Sequence, residues 1–216
     1  MPQDLVHLRI LRTLLSLCLA ALVFTQLAGC AIPATAKAPA SAVPVAGQGT
    51  VLIRVSMVGL VNMNGFGVLA RPVGKQETVE FNGWSLASEG YWTKTGTQDV
   101  KGQLVAAQLP AGSYEFFSFI ALNSSGLAMG TAKNVKPFSY PFEVRQGEVT
   151  YLGEFQLKFE PKRVPKPGSS TDLSYQVLLR DNLTQDFLDA KKLIPDIRTD
   201  QITVRLLGRE ASRTAR

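Results

Sequence analysis

The chain has 216 residues, with 23 Lys and Arg against 17 Asp and Glu, one histidine and two cysteines. The histidine is His7 and the cysteines are Cys18 and Cys30. The sequence after Cys30 therefore excludes an internal disulfide, a His-based nucleophilic triad and a zinc site of the His/Cys type. We predict no catalytic residue, no metal ligand and no cofactor.

The N-terminus has the anatomy of a signal peptide. Arg9 and Arg12 precede an uncharged stretch, 13–29, that is rich in Leu and Ala. This stretch is shorter than the roughly 20 residues that a membrane-spanning helix needs. It ends on the small residue Gly29, which suits a peptidase cleft. These features favour a cleaved signal peptide over 1–29 rather than a retained membrane helix.

The segment Leu27-Ala28-Gly29-Cys30 resembles the lipobox of bacterial lipoproteins. In that family the cysteine sulfur takes a diacylglycerol, and the amine freed by cleavage takes a third acyl chain. The resemblance implies cleavage after Gly29, lipid attachment at Cys30 and a membrane as partner, because two acyl chains already hold a protein stably. In the same family, Ala31 after the cysteine implies sorting to the periplasmic face of the outer membrane.

An Ala- and Pro-rich stretch follows, up to Gly49, with Lys37 as its single charge. It offers too little apolar area to fold, so 30–49 is predicted to be a semi-extended tether. Residues 50–207 are predicted to form one domain, and 208–216 a basic, flexible tail. The other basic residues are scattered, apart from Lys162, Arg163 and Lys166, which we interpret as solvated charge on a loop. We expect no nucleic-acid partner in the envelope.

Apolar residues at alternating positions predict strands in this body. Val51, Ile53 and Val55 show the pattern, and 149–160 shows it most clearly. The two faces predicted for 149–160 carry Val149, Tyr151, Gly153, Phe155, Leu157 and Phe159 on one side, and Thr150, Leu152, Glu154, Gln156, Lys158 and Glu160 on the other.

Turn signals separate the predicted strands. Pro110-Ala111-Gly112 fits a type I turn, and Gln146-Gly147 is predicted to close a hairpin between 138–145 and 149–160. Many short strands with such turns predict a mainly-β fold, as a single antiparallel β-sandwich with one short C-terminal helix.

That helix is predicted over 182–194. Asn182 and Gln185 have the spacing of a capping box, and Pro195 ends the helix. Its apolar face would carry Leu183, Phe187, Ala190 and Ile194. We expect this face to pack against an edge or open end of the sandwich.

Two motifs resemble known β-sandwich families. Leu109-Pro110-Ala111-Gly112-Ser113-Tyr114-Glu115-Phe116 is similar to the L-P-x-G-x-Y-x-F signature of transthyretin-like, carboxypeptidase-regulatory-like domains. Residues 142–153 are similar to a hairpin found in bacterial envelope lipoproteins with such domains. The resemblance implies a β-sandwich that is usually non-catalytic.

Three aromatic residues are candidate ligand contacts. Trp84, Tyr91 and Trp92 lie in a Gly- and Ser-rich region, 81–96, which we interpret as a loop. Aromatic side chains on loops can stack on sugars or hold a partner peptide. The alternative, which we favour, is that the two tryptophans cap one end of the core.

The acidic residues form no predicted catalytic pair or calcium site. Glu154 and Glu160 are six residues apart on one strand, which separates them by about 20 Å, while glycosidase carboxylates lie within roughly 5–10 Å of each other. Asp181, Asp186 and Asp189 lack the spacing of a calcium loop. We therefore expect a solvated strand face, helix capping and surface charge.

These observations leave three hypotheses open. The first is a non-enzymatic, membrane-anchored envelope lipoprotein that binds or assembles with an envelope protein or glycan. The second is a carboxylate-based, glycan-modifying hydrolase that holds sugar with Trp84, Tyr91 and Trp92. The third is an accessory subunit of an envelope assembly that docks through helix 182–194.

Overall fold

The computed structural model describes residues 34–43, 45–59, 63–85, 91–95, 98–123, 129–130, 138–161, 173–208 and 213–214. All of them belong to one unit, Pro33–Arg216. The predicted signal peptide and Cys30 lie outside the described residues.

Strands and one helix make up most of the described chain. The strands are β1 (Ala34–Thr35), β2 (Gln48–Gly59), β3 (Met63–Pro72), β4 (Val79–Ser85), β5 (Tyr91–Thr95), β6 (Gln98–Pro110), β7 (Gly112–Asn123), β8 (Met129–Gly130), β9 (Tyr140–Val144), β10 (Val149–Pro161), β11 (Leu173–Arg180), β12 (Ile202–Val204) and β13 (Arg213–Thr214). The helix α1 covers Leu183–Leu193, and a 3-10 turn covers Thr199–Gln201.

The strands form two sheets. Sheet 1 has the order β1-β4-β3-β7-β8, with β9 also paired to β7. Sheet 2 has the order β13-β12-β10-β2-β6-β5, with β11 also paired to β10. The mainly-β class with one helix near the C-terminus is therefore confirmed.

The sheets are mixed rather than purely antiparallel. β10 runs parallel to β2 and to β12, and β1 runs parallel to β4. A parallel pair needs a long connection between its strands, and the strands between β2 and β10 supply it. The turn at Gly147, with a φ of 75°, leads from β9 in sheet 1 to β10 in sheet 2, so it does not close the predicted hairpin.

The main core lies between the two sheets. Sheet 1 contributes Phe66, Val68, Ala70, Phe81, Tyr114, Phe116, Phe119, Phe142 and Val144, and sheet 2 contributes Val51, Ile53, Val55, Met57, Val105, Ala107, Leu109, Leu152, Phe155 and Leu157. Phe116 is central, with ring centroids 4.7 Å from Phe142 and 5.9 Å from Phe155 of the opposite sheet. The alternation predicted for β2 thus points Val51, Ile53 and Val55 into this core.

A second apolar layer lies between α1 and the other face of sheet 2. From the helical side Ala190, Ile194 and Ile197 are buried in it, with Leu183 and Phe187 partly buried. The predicted apolar face of the helix is confirmed, and it covers a sheet face rather than an edge or open end. The predicted capping box is not formed, because the side chain of Asn182 makes no hydrogen bond to the helix backbone.

The described residues of the expected tether lie against the body. The N–H of Ala34 donates to the carbonyl of Thr78 at 3.2 Å, and Ala42 is 7% exposed. Asp196 accepts the N–H of Ala42 at 2.9 Å and the hydroxyl of Ser41 at 2.6 Å. Backbone hydrogen bonds and the burial of Ala42 therefore hold parts of this stretch on the body. Part of the expected tail also pairs, as β13 against β12.

Candidate functional site

Polar side chains are buried between sheet 2 and the N-terminal half of α1. Each of them is at most 3% exposed: Arg54, Ser56, Glu154, Gln156 and Asp186. Tyr151 and Asn182 complete this group, which we call the polar network. Buried polar groups on this scale require hydrogen-bond partners, since each unpaired one costs about 1–3 kcal/mol.

A bulge in β10 brings the strand's contributions onto one face. The pairing of β10 with β2 shifts between Tyr151 and Glu154, where Gly153 has a φ of 90°. Tyr151 therefore lies beside Leu52 and Glu154 beside Arg54, both on the side of the helix. The face assignment predicted for 149–160 is wrong on this account, because one extra residue reverses the alternation after the bulge.

The first half of the polar network centres on Asp186. The guanidinium of Arg54 donates from Nε to Oδ1 of Asp186, and the hydroxyl of Tyr151 donates to Oδ2. Arg54 also donates from Nη2 to Oδ2 of Asp189 at 2.5 Å. The N–H of Asn182 donates to the hydroxyl oxygen of Tyr151 at 3.3 Å.

Burial perturbs the titrating groups of this half. Burial raises the pKa of Asp186, and the hydrogen bonds from Tyr151 and Arg54 oppose that rise without cancelling it. Burial, with the adjacent Asp186 carboxylate, also raises the pKa of Tyr151. For Asp189, burial acts upward, but hydrogen bonds from Lys192 and Arg54 bring its pKa below the ordinary value.

The second half of the polar network centres on Glu154. Its Oε1 accepts hydrogen bonds from the hydroxyl of Ser56 and, at 3.3 Å, from the amide of Gln156. Its Oε2 accepts the side-chain amide of Asn182, which explains why Asn182 does not cap the helix. Gln156 also donates to the hydroxyl of Ser56 at 3.1 Å.

Both oxygens of each central carboxylate are thus engaged by side chains of this chain. A general acid or base has to reach the proton of a substrate, whereas Asp186 and Glu154 are 1% and 2% exposed and face their own partners. This arrangement holds the start of α1 on sheet 2. The expectation of a solvated face for Glu154 and surface charge for Asp186 is wrong, because the helix covers this side of the sheet.

The structure places the backbone of the three candidate aromatics in strands, not in a loop. Trp84 lies in β4 of sheet 1 opposite Phe66. Tyr91 and Trp92 lie in β5 at an edge of sheet 2. Their side chains lie outside the described residues, so their role in binding remains a prediction.

Two other features concern metals and membranes. Within the described ranges, no group of three or more His, Cys, Asp or Glu side chains is placed to hold a metal ion. Among the same residues, no helix has the length and apolarity to cross a bilayer.

Comparisons with known proteins identify no family. No family model and no curated protein matches the chain. Among solved structures, a leucine-rich repeat protein from Bacteroides thetaiotaomicron VPI-5482 is similar at 19% identity and a TM-score of 0.28. The match covers 53% of this chain and 14% of that chain. A likeness of this size carries no argument about fold or function.

Proposed function

We propose that the chain is a non-enzymatic lipoprotein, anchored at Cys30 to the periplasmic face of the outer membrane. Its β-sandwich would act as a binding or assembly module for an envelope protein or glycan. The observation that supports this best is the attachment of the chain to the body from Ala34 onward, four residues after Cys30. A lipid at Cys30 would hold the sandwich beside the bilayer.

The polar network supports a structural rather than a catalytic use of the buried acids. The carboxylate oxygens of Asp186 and Glu154 accept hydrogen bonds that position α1 on sheet 2. A rigid, internally satisfied scaffold of this kind suits a module that presents a surface to a partner. The partner would be recognised by loops or sheet edges, where aromatic residues such as Trp92 supply contact area.

The anchor is tested by intact mass spectrometry of protein extracted from native membranes. We expect the polypeptide to begin at Cys30 and to carry the added mass of acyl chains. Cys30→Ala should abolish lipidation, whereas the matched control Cys18→Ala should not alter the mature mass. An intact Met1, or a free thiol on Cys30, would contradict the proposal.

The role as a module is tested by cross-linking in intact cells, followed by turnover assays on envelope glycans with the purified protein. We expect one reproducible cross-linked partner and no turnover. Hydrolysis of a glycan that is lost in Glu154→Gln would reverse the assignment and favour the carboxylate-based hydrolase.

The outer surface of α1 supports a second candidate, an accessory subunit that docks through this helix. Leu188 is 57% exposed and Leu193 is 36% exposed, while the opposite face of α1 is packed. Leu188→Glu would then lose the cross-linked partner without lowering the thermal midpoint. Retention of the partner in Leu188→Glu would exclude this face as its docking site.

A further inference from the structure

One end of the sandwich carries exposed apolar side chains close to the point where the chain joins the body. Among the described residues, Val43 is 75% exposed, Val45 58% and Val73 57%. We call these three residues the anchor-side surface. Exposed apolar groups gathered at one place mark sites of interaction with proteins or membranes.

Backbone hydrogen bonds show that Val45 and Val73 flank the same turn. The N–H of Val73 donates to the carbonyl of Ser113 at 2.9 Å, directly after the turn between β6 and β7. On the other side of that turn, the N–H of Ala111 donates to the carbonyl of Gly47 at 2.9 Å. Val45 lies two residues before Gly47 and Val43 four residues before it, so the anchor-side surface joins the start of β2 in sheet 2 to the end of β3 in sheet 1.

The point of attachment lies beside this surface. Ala34 hydrogen-bonds to Thr78, just after the turn between β3 and β4 that carries Val73. A fully extended chain spans about 3.5 Å per residue, so a tether of four residues between a lipid on Cys30 and Ala34 reaches at most about 14 Å. A lipid on Cys30 would therefore keep the β3–β4 turn close to the bilayer. It would also restrict how far the body can rotate away from the membrane.

We propose that the anchor-side surface rests on the bilayer, so that Val43, Val45 and Val73 enter the headgroup region. This inference rests on the proposed lipid anchor. It fixes the orientation of the module: the anchor-side end faces the membrane, and the opposite ends of β2, β6 and β10 point into the periplasm. Apolar side chains at an interface add to the hold of the acyl chains.

The charges of the turn indicate that this contact is mainly apolar. Lys75 and Glu77 are both exposed beside Val73, so the cation is balanced by an anion. Attraction to anionic lipid requires a local excess of basic side chains. Contact should therefore depend only weakly on the fraction of anionic lipid in the membrane.

The test uses the full lipidated protein, because its mature chain contains no free thiol once Cys30 is acylated. Val73→Cys and Val45→Cys are labelled with an environment-sensitive fluorophore and reconstituted into phosphatidylethanolamine and phosphatidylglycerol vesicles that contain a doxyl-lipid quencher. Leu188→Cys is the matched control, since Leu188 has the same 57% exposure as Val73 but lies on α1.

We expect quenching at positions 73 and 45 to be several-fold stronger than at position 188, at low and high phosphatidylglycerol content alike. Equal quenching at all three positions would overturn the proposed orientation. Intact mass of the same samples separates the two levels of failure. Acylated protein without selective quenching overturns only the orientation, whereas protein without acyl chains overturns the anchor and the orientation together.

Folding of each labelled variant is checked by its thermal midpoint, which should match the unsubstituted protein because all three side chains are exposed. A second variant asks whether the apolar contact itself holds the orientation. Val73→Glu, added to Val45→Cys, should reduce quenching at position 45 while leaving lipidation intact. Unchanged quenching would overturn the claim that apolar contact at Val73 holds the orientation.

Discussion

The two faces of sheet 2 are both buried, but in different ways. Toward sheet 1, Phe155 and Leu157 of β10 meet an apolar core in which aromatic rings pack at several angles. Toward α1, Glu154 and Gln156 of the same strand meet a hydrogen-bonded network. Neighbouring residues of one strand thus serve two kinds of packing.

The comparison shows what each kind of packing contributes. Apolar contacts are non-directional and scale with the area buried, so the inter-sheet core supplies stability. Hydrogen bonds and ion pairs are directional, so the polar network determines where the start of α1 lies on the sheet. Removing one member of a buried ion pair should therefore be costly, even where the pair itself adds little net stability.

The largest expected effect comes from breaking the polar network at Arg54. Arg54→Met leaves the carboxylate of Asp186 buried without its cation and should lower the free energy of unfolding by about 3–5 kcal/mol. Urea unfolding of the full protein measures the loss. The double variant with Asp186→Leu should recover much of it, because no uncompensated charge remains. A loss below about 1 kcal/mol in the single variant would contradict a structural role for the pair.

The same variant should respond to pH with a defined sign. Burial already raises the pKa of Asp186, and the Arg54 cation opposes that rise, so removing Arg54 raises the pKa further. A folded pKa above the unfolded value means that the folded state gains a proton first, and stability rises as pH falls through the folded pKa. The deficit of Arg54→Met should therefore shrink as the pH is lowered from neutrality toward the ordinary pKa of an aspartate. A deficit that grows on acidification would show that Asp186 is not the group left unpaired.

The apolar side of the comparison is tested at Leu157, which is fully buried between the sheets. Leu157→Ala removes methylene groups and leaves a cavity, at a cost of about 2–5 kcal/mol. No titrating group is removed, so the deficit should be the same at about pH 7 and about pH 5. A pH-dependent deficit would mean that the inter-sheet core and the polar network are coupled through β10.

A smaller effect is expected at the bulge that separates the two kinds of packing. Gly153 has a φ of 90°, and a Cβ there would lie 2.7 Å from the carbonyl oxygen of Arg180. Gly153→Ala should cost about 1–3 kcal/mol through the strain of a positive φ, with an added cost because the new Cβ meets the carbonyl of Arg180. Gly147→Ala is the matched control, because its φ is also positive but nothing lies within 4 Å of the added Cβ. If both variants lost the same amount, the close approach of Arg180 would be irrelevant.

The bulge at Gly153 also limits what the sequence pattern predicts. Strict alternation predicted β2 correctly and the 3.6-residue period predicted the buried face of α1, because both signals are local. The faces predicted for 149–160 are wrong beyond Gly153, since an alternating pattern does not reveal a bulge. The sequence does not predict the pairing of Arg54 with Asp186, which lie 132 residues apart. In its local sequence each of them resembles an ordinary exposed charge.

The contacts made by part of the expected tether show a related limit. Its Ala- and Pro-rich composition lacks apolar area, which predicts disorder. Composition does not show which backbone groups find partners, and here Thr78 and Asp196 supply them. The resemblance of Leu27-Ala28-Gly29-Cys30 to a lipobox, by contrast, rests on contiguous residues and needs no tertiary information.

The smallest expected effect is local and concerns this docked segment. Hydrogen bonds from Ser41 and Ala42 lower the pKa of Asp196, so its hold on the segment is complete above the ordinary pKa and is lost as pH falls through the folded value. Asp196→Ala should speed amide hydrogen exchange at Ala42 without a measurable change in global unfolding. Asp200→Ala is the control, because Asp200 pairs with Arg198 instead. Exchange at Ala42 that stayed slow in Asp196→Ala would contradict this role of Asp196. The packing of the Ala42 side chain with Ala190 and Ile194 would then be sufficient to hold the segment in place.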